Sequence, residues 1–237
     1  MIRPRALLAT AAAVASLAWA GSLHAALLIN EVDSDSANTP STDFAEFVEL
    51  YDSSGGSVPL DGYVLVFYNG NGNRAYRVDD LDTYSTNANG YFVAGSVPGA
   101  QLSIPTNTIQ NGVDAVALYL GNASDFTTGG SGTLAHSTNL VDAIVYKTGG
   151  DTDGVGLLAA LGITGAEVDE FGRDGSSTAG AADSFGRFPN GSGAARNSTG
   201  WTFMTPSPGA SNGVPEPATC TLAALSGLAM LTIRRRR

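Results

Sequence analysis

"FAEFVELYDSSGGSVPLDGYVLVFYNG" (44–70) sets the fold class. Its two apolar runs, 44–52 and 62–70, carry Val, Leu, Phe and Tyr and flank a segment of Ser, Gly, Pro and Asp. Short runs of β-branched and aromatic residues bounded by turn formers are strands. Outward from this pair, "ALLINEVDSD" (26–35), "NRAYRVDD" (73–80), "GYFVAGS" (90–96), "VDAVALYL" (113–120) and "LVDAIVYK" (140–147) read the same way. Seven such strands at short spacing predict an all-β sandwich. The turn signals "DSSGG", "NGNGN" and "NANG" are expected to close hairpins. "GVGLLAALGI" (154–163) is the one segment read as a helix. Residues 150–200 are otherwise rich in Gly and Ser and form the loose part of a domain spanning 26–212, with a short "DSFGRFP" within it. Trp201 and Phe203 supply a last strand or a lid.

The chain of 237 residues opens with Arg3 and Arg5 and an apolar run, 6–20. A basic head, an apolar stretch and small residues make a secretory signal over residues 1–25, cleaved after Ala20 or after Ala25. Without this leader and the tail, six basic residues face twenty-one acidic ones, a formal charge of −15. Such a surface repels phosphate backbones, so nucleic acid is not an expected partner. Cys220, the only cysteine, lies in the tail, which leaves the exported body no disulfide and no thiolate metal site. Roughly 185 residues suit one domain with a core of its own.

The tail, "VPEPATCTLAALSGLAMLTIRRRR" (214–237), sets sixteen uncharged residues, 218–233, ahead of four arginines. As a helix the apolar part is about 24 Å long, somewhat less than a hydrocarbon core of about 30 Å. The arginines Arg234, Arg235, Arg236 and Arg237 are expected to stay on the cytoplasmic side, making 218–233 a transmembrane stop-transfer segment.

"LLINEVDSD" followed by "DFAEFVELYDSSGGSVPLDGYVLVFYNG" resembles the opening of a lamin-tail domain, with Leu60, Gly62 and Tyr63 at the turn after the second strand. The resemblance extends more loosely through "LVDAIVYKTGGDTDGVGLLAALG" and "SFGRFPNGSGAARNSTGWTFMTPSPGASN". It implies an immunoglobulin-like β-sandwich acting as an interaction or structural module. The tail is similar to a PEP-CTERM sorting signal in Pro215, Glu216 and Pro217, the apolar segment and the arginine terminus. That implies an exosortase as processing partner, transient insertion in the inner membrane, and delivery to the surface or matrix of a Gram-negative bacterium. Exopolysaccharide or other surface proteins are the implied partners there.

Candidate chemistry is sparse. "EVDSDSANTPSTDFAE" reads as an acidic loop in which Glu31, Asp33, Asp35 and Asp43, with Glu46, offer the oxygen ligands calcium prefers. The plainer use of such carboxylates is to cap turns and keep the surface soluble, since the EF-hand glycine and twelfth-position glutamate are missing. Asp151 and Asp153 in "GGDTDG" cap a helix or a turn more commonly than they bind an ion. Glu46 and Glu49 stand three apart on a strand and so face opposite sides. Glu49 shares a face with Phe47 and Tyr51, which is taken as the inner one, so a buried glutamate hydrogen-bonded to backbone or tyrosine is expected. A general acid of raised pKa is the alternative use of Glu49.

His136 is the sole histidine of the body beyond His24, and it stands in "TLAHSTN" without a nucleophile elbow or phosphate loop anywhere in the chain. The expectation is a non-enzymatic protein without a resident metal or cofactor. A calcium-dependent carbohydrate- or protein-binding module is the first alternative, and a secreted hydrolase of matrix components the second. Tyr63, Phe67, Tyr68, Tyr76, Tyr84 and Tyr91 are candidates for a sugar-stacking face, although about half of strand aromatics point inward. Sequons begin at Asn122, Asn190 and Asn197.

Overall fold

Val48 and Leu50 alternate with Phe47, Glu49 and Tyr51, and it is the Val48–Leu50 side that enters the main core. The computed structural model in which this is seen describes residues 27–36, 45–148, 154–169 and 184–213. The expected leader, Asp43, Asp151, Asp153 and the whole of the expected sorting tail, 214–237, lie outside the described residues.

In chain order the strands are β1 (Leu28–Asp33), β2 (Phe47–Tyr51), β3 (Tyr63–Asn69), β4 (Arg74–Asp80) and β5 (Tyr91–Gly95). They continue as β6 (Leu102–Ser103), β7 (Val113–Leu120), β8 (Leu140–Lys147), β9 (Val168–Asp169), β10 (Ser184–Arg187) and β11 (Trp201–Met204). Among the described residues one α-helix, α1 (Val155–Leu161), precedes β9. All seven strands expected from the sequence are present, and Trp201 and Phe203 form β11. The stretch read as loose contributes β9 and β10 as well.

Among the described residues these strands form two mixed sheets, ordered β11-β10-β1-β2-β5-β6 and β4-β3-β7-β8-β9. Most pairs are antiparallel, while β5–β6 and β8–β9 are parallel. Period-two alternation sends Ile29, Val32, Val48, Leu50, Phe92 and Phe185 of the first sheet toward Leu65, Phe67, Val116, Leu118, Ile144 and Tyr146 of the second. The architecture is all-β and sandwich-like.

The second sheet is apolar on its other face too, which is why β3, β7 and β8 read as nearly continuous hydrophobic runs. There Val64, Val66, Tyr68, Ala117, Tyr119 and Val145 form a separate cluster closed by Leu157 and Leu161 of α1. Leu157 and Leu161 stand one turn apart on the buried face of the helix, each burial stabilising by about 1.5–3 kcal/mol. Gly162 ends the helix with φ 63°, its N–H donating back to Leu158 and Ala159 carbonyls.

Only one of the three turn signals closes a hairpin. "NGNGN" joins β3 to β4, which are paired neighbours. "DSSGG" and "NANG" instead lie in connections from β2 to β3 and from β4 to β5, and both of these cross between sheets. Turn chemistry specifies a local bend, and the face each strand must bury decides its partner.

Candidate functional site

The outer face of the β1–β2 pair carries a cluster of polar side chains that the fold buries completely. Register explains how they meet. Ile29 pairs with Leu50 and Glu31 with Glu49, so Asn30 is an extra residue in β1. This bulge keeps Ile29 in the core while turning Asn30 and Glu31 together onto the outer face, opposite Glu49. The face expected for Glu49 is thereby corrected: Phe47, Glu49 and Tyr51 lie on the outer side of the sheet, not the inner. Glu49 is nevertheless 0 % exposed, because the last described segment covers it.

That cover is built from a short turn. Ala210 N–H donates to the Ser207 carbonyl at 2.9 Å across Pro208 and Gly209, and Gly209 has φ 78°. Proline then glycine at the two central positions is the signature of a type II turn. The turn aims backbone donors at carboxylates. Gly209 N–H donates to Glu49 Oε2 at 2.6 Å, and Ser207 N–H donates to Glu31 Oε1 at 2.9 Å. Ser207 Oγ donates to Glu31 Oε2 at 2.8 Å, while Ser184 Oγ from β10 bonds Glu31 Oε1. Asn30 Nδ2 donates to Glu49 Oε1 at 2.8 Å.

Asn212 fastens the end of the segment. Its Nδ2 donates to the Arg187 carbonyl at 2.9 Å, and its N–H donates to Asn190 Oδ1 at 2.7 Å. Gly186 makes this approach feasible, since a Cβ there would stand 2.6 Å from the Asn30 carbonyl oxygen and 2.9 Å from Asn212 Nδ2. Asn190 Nδ2 in turn donates to the Tyr91 hydroxyl at 2.7 Å. The second sequon asparagine is thus spent inside the fold.

Two carboxylates facing each other across a strand pair repel when both are charged. Burial pushes Glu49 up to about 8, with Glu31 adding to the rise and the Asn30 and Gly209 donors opposing it. Burial raises Glu31 as well, against the hydrogen bonds from Ser184 and Ser207. A raised carboxyl is the equipment of a general acid. Here both Glu49 oxygens already accept hydrogen bonds beneath the 207–210 turn, so the cluster works as a clamp on that turn.

The remaining candidates disperse. Glu31 and Asp33 belong to β1, not to a flexible loop, and both Glu31 oxygens are taken by serines. Asp33 is buried and Asp35 is partly exposed just beyond the strand. Glu46 diverges from Glu49 as expected, its Oε2 accepting from Thr108 and Ile109 N–H at 2.9 and 3.2 Å. Among the described residues, no group of three or more His, Cys, Asp or Glu side chains is placed to hold a metal ion. The His136 ring stacks on Phe126 at 5.8 Å, and its carbonyl accepts from the Tyr119 hydroxyl at 2.8 Å.

The six aromatics do not share a face. Phe67 is in the inter-sheet core with Tyr63, Tyr76 and Tyr84 packed on it, Tyr68 is in the cluster under α1, and Tyr91 pairs with Tyr51 at 4.9 Å on the outer face. Of the other sequon residues, Asn122 precedes a 3-10 turn and Asn197 Oδ1 accepts from Thr199. Among the described residues, no helix is long and apolar enough to cross a membrane.

Absent from the expected candidates are Asn30, Ser184, Ser207 and Asn212 of this cluster, and Arg187 with its buried ion-pair partner Asp142. Two signals pointed toward them: an Asn-Glu pair inside an otherwise apolar strand, and an arginine between phenylalanines in "SFGRFP". Fold and cluster together define an all-β, sandwich-like domain closed by an internal polar clamp. No family model matches the chain, and neither a curated protein nor a solved structure matches it.

Proposed function

We propose that this chain is an exported, non-enzymatic cell-surface or biofilm-matrix protein. In this reading it is a lamin-tail-like, immunoglobulin-like sandwich sorted by an exosortase through Pro215, Glu216 and Pro217. The leader directs it across the inner membrane of a Gram-negative cell, and segment 218–233 holds it there until processing.

One observation carries the reading: the order of leader, β-domain, Pro-Glu-Pro, apolar segment and arginine cluster along the chain. The clamp agrees with it. Its last fastening residue, Asn212, stands just ahead of Val214 and Pro215, so a cut at the Pro-Glu-Pro leaves every clamp hydrogen bond in place.

The test is fractionation of native cells expressing the chain with Pro215, Glu216 and Pro217 replaced by alanine. The reading expects the variant to accumulate in the inner membrane while the unaltered chain reaches the surface or medium. An unchanged distribution would refute sorting through these residues.

A further inference from the structure

At one end of the second sheet, the β3–β4 turn (69–73), the segment entering β7 (111–114) and the start of α1 enclose a cleft of about 470 Å³. That volume lies within the range of small-molecule sites, about 300–1,000 Å³. Its lining differs from the usual apolar one. Among the described residues, asparagines 69, 71, 73 and 111 and Asp114 supply its side-chain polarity, and no Lys or Arg lines it.

Two of these amides stand outside the hydrogen bonding of the fold. Asn69 is occupied, with Nδ2 donating to Gln110 Oε1 at 2.5 Å and Oδ1 accepting from Asn71 N–H at 2.7 Å. Asp114 is buried, with Oδ1 accepting from Gly70 N–H at 3.1 Å. The side-chain amides of Asn71 and Asn73 make no hydrogen bond among the described residues. Asn73 has φ 53°, a left-handed conformation asparagine tolerates. Gly156 makes room for its amide, since a Cβ at 156 would stand 2.6 Å from Asn73 Nδ2.

The geometry points to this cleft as a binding site for a neutral, hydroxyl-rich glycan. A carboxamide offers a donor and an acceptor side by side, which matches a hydroxyl that both gives and takes a hydrogen bond. The buried Asp114 and the body's formal charge of −15 disfavour a uronate or sulfated sugar. The site needs no aromatic platform, consistent with the dispersal of Tyr63, Phe67, Tyr68, Tyr76, Tyr84 and Tyr91. The proposal rests on the matrix reading for the source of the sugar.

The test is calorimetric titration of the purified full chain with neutral cello-, manno- and galacto-oligosaccharides and with an oligo-uronate. Binding of a neutral series is expected, weakened roughly tenfold in Asn71→Ala, which deletes an exposed amide. Gly156→Ala, whose Cβ would displace the Asn73 amide, is expected to weaken it as well. No binding by any neutral series, binding by Asn71→Ala as tight as by the unaltered chain, or tighter binding of the oligo-uronate would each overturn the proposal. Should Gly156→Ala fail to fold, Asn71→Ala decides alone. Failure here leaves tail processing unaffected, so it is distinguishable from failure of the sorting reading.

Discussion

Arg187 Nη2 and Asp142 Oδ2 stand 2.9 Å apart and join the two sheets through a buried ion pair. Arg187 lies on β10 and Asp142 on β8, with side chains 1 % and 0 % exposed. Arg187 also donates through Nε to the Ile29 carbonyl at 2.8 Å, and through Nη1 to the Ser192 and Ala194 carbonyls at 2.8 and 3.1 Å. Its guanidinium also sits 5.2 Å from the Trp201 ring centre. Asp142 in return accepts from the N–H groups of Ile29, Ala143 and Arg196.

Removing one member strands the other's charge in the core, which costs about 3–5 kcal/mol. Arg187→Leu and Asp142→Leu are therefore each expected to lower the urea midpoint steeply. A combined Arg187→Leu/Asp142→Leu chain should lose less than the sum of the two. Additive losses would show that the pair is not coupled.

Glu49 links stability to pH. Its carboxyl is held at about 8 in the fold against 4.5 ordinarily, chiefly by burial. The folded chain thus binds a proton that the unfolded chain has released, and the contribution is full below pH 4.5 and lost as pH rises through about 8. Unfolding free energy should fall by roughly 1.4 kcal/mol per pH unit across that window. Glu49→Gln should flatten the slope in denaturant titrations, with residual dependence from Glu31, which is raised in the same direction. A profile that rises with pH would contradict the assignment.

Gly209 occupies a left-handed position, φ 78°, at the turn that covers this pair. Gly209→Ala should destabilise by about 1–2 kcal/mol, because a Cβ is disfavoured at that angle. Hydrogen exchange provides the direct readout. The Gly209 amide is expected to be protected in the unaltered chain and to exchange faster in the variant.

The two tyrosines under α1 are not equivalent. Tyr68 donates to Tyr119 at 3.0 Å, and Tyr119 donates to the His136 carbonyl at 2.8 Å. Tyr119→Phe leaves a buried hydroxyl and a carbonyl short of a partner and should cost about 1–3 kcal/mol, whereas Tyr68→Phe should cost about 0.5–1.5. Thermal unfolding of the two variants distinguishes them by order.

The strands that bury two apolar faces were legible because Val, Ile, Leu and Tyr accumulate in them, as in "GYVLVFYNG" and "VDAVALYL". The face of Glu49 was not. Alternation fixes which residues share a side, and only the covering segment 207–212 shows that both sides of β2 are buried. β10 escaped notice because "SFGR" is short and half polar, its place secured by Arg187 and Ser184 reaching residues far along the chain. The Asn30 bulge is equally a tertiary feature, set by what must face Ile29 and Glu31. The cleft amides of Asn71 and Asn73 looked like turn residues, which they also are.

Intact-mass analysis of the protein recovered from native cells and medium tests the central claim most directly. The account predicts a mature mass that has lost the leader and ends near Pro215 to Pro217, without Arg234 to Arg237. A recovered surface or secreted protein that still carries those four arginines would contradict it.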